Sequence, residues 1–449
     1  MENDITYLGH IIRVDSNTVE VEVSGKIRSY SPIINGKVYK IGQIGTFVKI
    51  PTGNIVTYGI VESVSNTPSS DDNTPMDAQK SGSRYLSINL VGEKVGDNHF
   101  EKGISLYPTI YDEVHIVTET DLEEIYGSNE KGLISIGKHS SSDNLDVCVD
   151  LHRLILRHSA ILGSTGSGKS NSVVAILKNI ISQYPNSRIV LVDPHGEYGS
   201  AFPDANILRI NDKENPLYIP FWLMNFEELA FFLVGAKPSD DQRTEYRLLR
   251  EQITTMKKAN IHLKAGAVNS DFITADSPIP FNVRKLWHTM NWWLNATFDV
   301  STKDKQNATT ARQISDGDPD TLQGATFEAH AAGSAAPYKS QHQEYYSYEK
   351  KLLSRLKDSR YDFLFNPGDY ANETSACDLH HLLQRWIGGS KRLTILDLSN
   401  VPFEVMDITI GLITRFIYDS MFWGRNEEYT GKNRPLLLAY EEAHTYLVV

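Results

Sequence analysis

The chain predicts an α/β core carried on a parallel sheet, with a small β-barrel ahead of it and a helical segment inserted within it. Three observations make that prediction. Residues 1 to about 125 read as short β-branched runs broken by turn residues. A glycine-rich loop, Gly163 to Ser170, stands between an apolar run and an amphipathic helical pattern. Two later apolar runs, Ile189 to Val192 and the one that opens "PLLLAYEEAH", end in acidic residues, and strands alternating with helices build parallel sheets.

The elements follow in order. "EVEVSGKI", "IGTFVKIP", "IVTYGIVESVS", "RYLSINLVGE" and "EVHIVTE" are the expected strands of the barrel. Ser65 to Ser83 interrupts them with a polar stretch holding two prolines, expected as a mobile loop. "DLEEIYG" reads as a short helix leaving the barrel. The run Ala160-Ile161-Leu162 is expected as the end of a buried strand. After the glycine loop, Val173, Val174, Ile176, Leu177, Ile180 and Ile181 recur on one face of a helix. Ile189 to Val192 is the next strand, ending in Asp193.

From about 215 to 388 the pattern turns helical, in "FEELAFFLVGA", "SDDQRTEYRLLREQITTMKKAN", "YSYEKKLLSRLKD" and "CDLHHLLQRWIGG". The polar, Gly/Ala/Asp-rich middle of this insertion is expected to be flexible. The sheet resumes at Lys391 to Val401, a helix follows in "DITIGLITRFIYDSMFWGR", and "PLLLAYEEAH" is the final strand. The domain boundaries expected are 1–135 for the barrel, 136–214 and 389–449 for the two parts of the core, and 215–388 for the insertion.

Gly163-Ser164-Thr165-Gly166-Ser167-Gly168-Lys169-Ser170 fits G-x-x-x-x-G-K-[ST] without a mismatch. Between a strand and a helix, such glycines let backbone N–H groups turn inward on phosphate oxygens. The helix start adds unpaired N–H groups and the positive end of its dipole. Lys169 offers a point charge to the outer phosphates and Ser170 a hydroxyl to Mg²⁺. Glu441 and Glu442, at the end of the last strand, supply the second half of such a site. Glu441 stands where an acid holds the metal's water shell, and Glu442 where a carboxylate polarises the attacking water. Asp193 and Glu197, past another strand end, could orient water or metal, since ligands bind at that edge of open α/β sheets. His195 could sense the outermost phosphate or cap a turn, and Asp193 itself could serve only the turn. Asp397 reads as structural.

Other residues carry less. Arg157 and His158 fit a salt bridge as well as a nucleotide contact. Cys377, His380 and His381 lack a fourth ligand and do not read as a zinc site. "MNWWL" reads as helix packing. Two cysteines in 449 residues exclude a disulfide scaffold. The acidic start "MENDITYLGH" is no signal peptide, no apolar run is long enough to span a bilayer, and a cytoplasmic protein without membrane contact is expected. The net charge of -12 argues against a surface that binds nucleic acid everywhere, though not against a locally basic channel.

"RHSAILGSTGSGKSNS", "IVLVDPHGEYG", "LTILDLSNVPFEV" and "LLLAYEEAH" stand in the order seen in HerA-type ATPases of the HerA/FtsK group, and the chain resembles that family over most of its length. "DPHGEY" is the discriminating stretch. The resemblance implies a RecA-like P-loop NTPase core and a hexameric ring that hydrolyses ATP, with Mg²⁺, to move along double-stranded DNA. It also implies a protein partner docked on the barrel: a NurA-type nuclease, or an antiphage-defence effector such as a sirtuin-like NAD-consuming subunit. By the same resemblance Lys169 and Ser170 take the phosphate and metal roles, Glu441 and Glu442 are the acidic pair, and Asp193 is the acid of "DPHGEY". Glu441 replaces the usual Asp. Family members continue past this strand with an arginine that enters the neighbouring subunit's site, so residues 1–449 are expected to bind nucleotide more readily than to turn it over. A ring scaffold that organises an effector without moving DNA is the alternative function. A small nucleotide kinase is disfavoured by the barrel, the insertion and the length.

Overall fold

In the computed structural model, the alternating strands of the first part of the chain close on themselves. The structure describes residues 6–25, 33–34, 37–39, 43–66, 84–96, 99–126, 132–139, 142–155, 158–234, 244–263, 269–371, 379–427 and 431–446. The expected loop Ser65 to Ser83 thus lies almost wholly outside the described residues. Two units divide the chain, Met1–Gln183 and Tyr184–Val449.

The first unit opens with β1 (Tyr7–Asp15) and β2 (Thr18–Val23), followed by a two-residue ladder of β3 (Ile33–Ile34) with β4 (Lys37–Val38). Then come β5 (Phe47–Thr52), β6 (Ile55–Ser65), β7 (Tyr85–Val95), β8 (Glu101–Lys102) and β9 (Glu113–Ile116). Strand order is β2-β1-β9-β5-β6-β7, and pairing of β2 with β7 closes a six-stranded barrel, with β8 added to β7. Period-two alternation fills it: Val19, Val21, Val48, Ile50, Leu86, Ile88, Leu90 and Val114 are all buried in one cluster. The barrel expected from the sequence is therefore present, with β1 as a strand that the sequence did not announce.

α1 (Glu119–Tyr126) leaves the barrel, and β10 (Leu133–His139) pairs antiparallel with β11 (Ser142–Asp150). The short α2 (Leu151–Ile155) follows, and α3 (Lys169–Gln183) lies along β10 and buries Leu177 and Ile180.

The second unit holds β12 (Ile189–Asp193) and β13 (Asn206–Arg209), then α4 (Phe226–Val234), α5 (Thr244–Ala259) and α6 (Val283–Asn295). Four short strands follow, β14 (Thr297–Phe298), β15 (Gln313–Ser315), β16 (Thr326–Phe327) and β17 (Tyr338–Lys339). α7 (Tyr346–Leu356), α8 (Asp362–Phe365) and α9 (Leu379–Leu383) lead to β18 (Leu393–Asp397), α10 (Phe403–Trp423) and β19 (Leu437–Tyr440). The sheet runs β13-β18-β12-β19, all parallel. Every residue of β12 and β18 is buried, as both faces of a parallel sheet require. One core joins Val190, Val192, Leu208 and Leu396 of the sheet to residues of α4, α6, α7 and α10.

Two expectations are corrected. Ala160 to Leu162 is not a strand: residues 158–163 join no ladder, and Ile161 and Leu162 are 41% and 90% exposed. An apolar run becomes a strand only where a neighbour takes its backbone groups, and within this unit β10 and β11 pair with each other. The middle of the insertion is also ordered rather than flexible. β14 pairs with β17 and β15 with β16, while Asn307 forms a capping box with Thr310. Side-chain caps of this kind satisfy a polar backbone that has little apolar area to bury. "MNWWL" lies on α6, where Met290 and Leu294 are buried as expected of helix packing.

Candidate active site

In the first unit, the glycine-rich loop leads into α3, which starts at Lys169. Gly166 and Gly168 take φ of +79° and +92°, the left-handed region that glycine enters without strain. At neither would a Cβ meet another atom within 4 Å, so backbone conformation, not space, selects glycine there. Gly163 differs, since a Cβ would stand 2.3 Å from Ser167 Oγ. The loop holds itself by one turn, Ser167 N–H to the Ser164 carbonyl at 3.1 Å, and the helix begins with Ser172 N–H on the Gly168 carbonyl at 2.9 Å. Every residue from 158 to 167 is exposed, including Thr165, while Lys169 and Ser170 are partly buried. Turned glycines ahead of a fifteen-residue helix suit a polyphosphate.

In the second unit, register gathers the acids. Asp193 of β12 lies opposite Asp397 of β18, and Val192 lies opposite Tyr440 of β19. Glu441, the next residue, donates its N–H to the Val192 carbonyl at 3.1 Å. Asp193, Asp397 and Glu441 thus share the carboxyl edge of the sheet, where they are 0%, 5% and 5% exposed. Buried carboxylates need donors, and each has them.

Asp193 Oδ1 accepts the N–H of His195 at 3.3 Å and of Gly196 at 2.9 Å, and Oδ2 accepts the N–H of Tyr198 at 3.1 Å. Its carboxylate is the anchor of the "PHGEY" turn. Asp397 Oδ2 receives Arg209 Nε at 2.9 Å, and Oδ1 receives the Ser399 hydroxyl at 2.6 Å. Gly196 threads between them at φ +72°, where a Cβ would stand 3.0 Å from Asp397 Oδ1. The Tyr198 hydroxyl donates to Glu441 Oε2. The Glu441 carbonyl accepts the hydroxyl of Tyr446, whose phenol burial pushes above its ordinary value, with Tyr440 adding to the effect. Tyr440 itself is raised by burial and bonds Thr414 Oγ1 at 2.7 Å.

Glu442 has a backbone unlike its neighbours. Its φ and ψ of 49° and 39° are left-handed, a conformation that costs an ordinary residue roughly 1–2 kcal/mol. Its Oε2 lies 3.1 Å from Nδ1 of the exposed His444. His195 and Glu197 are exposed on the turn, and His158 is exposed ahead of the loop, while Arg157 and Cys377 lie outside the described residues.

The structure therefore unites Asp193, Glu441 and Glu442 at one sheet edge and gives Gly163 to Ser170 the turned loop and helix start that were expected. Tyr198, Arg209 and Ser399 were missed as partners of the acids. "DPHGEY" ends on Tyr198 and "LTILDLSNVPFEV" contains Ser399, but neither stretch announced the bond to an acid, and nothing pointed to Arg209. Among the described residues no group of three or more His, Cys, Asp or Glu side chains gathers to hold a metal. Magnesium at nucleotide sites keeps several waters and takes one or two carboxylates plus substrate phosphates; Ser170 in the first unit and Glu441 in the second are each of a donor type it accepts. Among the described residues no helix is long and apolar enough to cross a membrane.

The family model described as "Helicase HerA, central domain" matches residues 134–417, more than half of the chain. The DNA double-strand break repair helicase HerA of Saccharolobus solfataricus is 24% identical over 90% of this chain and 68% of its own length. The protein of the same name from Sulfolobus acidocaldarius is 34% identical over 35% of this chain and 30% of its own length, and that from Pyrococcus furiosus 33% over 28% and 22%. The matched segment thus spans about a third or less of the latter two relatives.

Proposed function

The chain belongs to the helicase HerA family of P-loop ATPases, and from that premise we propose that it is an ATP-driven motor acting on double-stranded DNA. The observation that carries the reading is the pairing of two half-sites in one sequence. One is a turned glycine loop at the start of α3. The other is a carboxyl sheet edge at which Glu441 and Glu442 follow β19 directly.

In this reading the glycine loop would take the phosphates of ATP, and the acidic edge would supply carboxylates for Mg²⁺. Backbone N–H groups of Gly163 to Ser170 bind the phosphates, and Lys169 neutralises the outer ones. Ser170 and Glu441 would hold Mg²⁺, which would supply positive charge to the transferring phosphoryl group. Glu442 orients the attacking water from a left-handed backbone at the strand end, its carboxylate 3.1 Å from His444 Nδ1. Asp193, with both oxygens on backbone N–H groups, serves the site by fixing its turn. We further propose a hexameric ring with the barrel as the docking face for a nuclease or other effector. The net charge of -12 argues against DNA binding all over the surface and is compatible with contact at a local basic lining.

The test is ATPase activity of the protein with and without duplex DNA over a range of salt. Stimulation by DNA that fades steeply with salt is expected of a motor. If DNA leaves the rate unchanged while Lys169→Ala still assembles with its partner, the motor reading falls and a ring scaffold for an effector replaces it.

A further inference from the structure

Tyr198 is almost wholly buried, at 1% exposure, and phosphoryl chemistry as described above leaves it without a task. Both of its polar ends are nevertheless committed to the acidic edge. Its N–H is held by Asp193 Oδ2 at 3.1 Å, and its hydroxyl is donated to Glu441 Oε2. Between the two ends runs the Pro194–Glu197 turn, closed by Asp193 Oδ1 on the N–H groups of His195 and Gly196. Asp193 is in turn fixed by the sheet, its carbonyl accepting Leu398 N–H at 2.9 Å.

This is a relay of positions. The sheet sets Asp193, Asp193 sets the backbone of Tyr198, and the phenol of Tyr198 sets one oxygen of Glu441. The backbone of Glu441 is pinned from both sides, by the Val192 carbonyl and the Tyr446 hydroxyl. A glutamate keeps rotamer freedom that a fixed backbone does not remove. A donor on one carboxylate oxygen removes it and orients the other oxygen. The Glu at this place is one methylene longer than the Asp expected there, so the need for such a tether is greater.

We propose that Tyr198 is the positioning residue of Glu441: its hydroxyl fixes the carboxylate that would take the magnesium of a bound nucleotide, and Asp193 acts through Tyr198 rather than on the reactants. The inference rests on the nucleotide site proposed above. Partners one shell out from a metal ligand commonly change metal affinity about 10–100-fold when removed.

The experiment uses the full chain and its Tyr198→Phe variant, which keeps the ring and removes the donor. A fluorescent ATP analogue is titrated in EDTA and at graded Mg²⁺, and the Mg²⁺ needed for half-maximal ATPase is measured alongside. Expected is unchanged affinity in EDTA and a rise of about 10-fold or more in the Mg²⁺ requirement, largely rescued at saturating metal. Asp193→Asn should shift the requirement the same way, and the double variant should fall short of the sum of the two. A merely structural tyrosine would lower the melting temperature and leave the Mg²⁺ requirement at the wild-type value. That outcome, or a wild-type result throughout, overturns the proposal. Lys169→Ala and Glu441→Gln separate the levels. If they too leave nucleotide binding and Mg²⁺ dependence intact, the nucleotide site itself is wrong. If they abolish it while Tyr198→Phe does not shift it, only the positioning role is lost.

Discussion

The glycine loop and the acidic edge, to which the nucleotide proposal assigns the phosphates and the metal, are built in opposite ways. The loop is exposed from 158 to 167, shaped by two positive-φ glycines and one internal turn bond. The edge is buried, with Asp193, Tyr198, Asp397 and Glu441 all at or below 5% exposure, the three carboxylates accepting from named donors and Tyr198 donating to two of them. A polyphosphate brings its own charge and can complete a loop of backbone N–H groups. A carboxylate that must meet a metal from a dry sheet edge has to be oriented in advance, because burial penalises any donor or acceptor left over. Ligand-completed and preorganised halves respond differently to mutation.

The largest expected effect lies at the edge. Glu442→Gln should lower turnover by about 10²–10⁴-fold, the usual range for losing a general base, while ATP binding and the melting temperature stay near wild type. Steady-state ATPase beside equilibrium nucleotide binding checks both halves. An active variant would leave the left-handed backbone of Glu442 without the role given to it. Next is Lys169→Ala, which removes charge-assisted contacts of about 1.5–3 kcal/mol and should weaken ATP roughly 10–100-fold. Because Lys169 starts a helix behind an exposed loop, the melting temperature without nucleotide should hardly move.

Two glycines test the same contrast by stability alone. Gly166 and Gly196 share a positive φ, +79° and +72°, yet a Cβ at Gly166 meets nothing within 4 Å and one at Gly196 stands 3.0 Å from the Asp397 carboxylate. Gly166→Ala should cost about 1 kcal/mol, the left-handed penalty alone. Gly196→Ala adds crowding of the buried Asp397 carboxylate and should cost about 2 kcal/mol or more. Urea unfolding of both variants decides it. Equal losses would mean that the edge is looser than its hydrogen bonds indicate.

How much of this was legible follows from the same difference. The loop is spelled by eight consecutive residues, Gly163 to Ser170, so spacing alone carried it. The edge is assembled by parallel register from residues as far apart as Asp193 and Glu441. Its acids were visible at strand ends, but Tyr198 was not, because a tyrosine in a turn reads as packing until a partner is seen. β1 escaped notice because a bulge between Ile11 and Arg13 resets its alternation. Ala160 to Leu162 misled for the opposite reason: its composition is that of a strand, but pairing is a property of neighbours. The insertion's middle hid its order because short ladders and Asn307- and Asp318-centred turns carry no period.

The smallest effect separates a turn from a site. Asp212 repeats the local geometry of Asp193, with Oδ1 accepting the N–H of Glu214 at 2.7 Å and of Asn215 at 2.9 Å, two and three residues on. Those bonds, Asn215's foremost, hold the Asp212 carboxyl below its ordinary value. A lowered carboxyl stabilises the fold above its unfolded value, near pH 4, and loses that contribution as pH falls through the folded value. Asp212→Asn should therefore narrow its stability gap from the wild type as unfolding is measured from pH 7 down to about pH 3, and should leave ATPase and its Mg²⁺ dependence untouched. Asp193 differs in one bond, the third N–H, that of Tyr198. If Asp212→Asn and Asp193→Asn prove alike in every assay, that third bond carries nothing to Glu441, and the edge is only another capped turn.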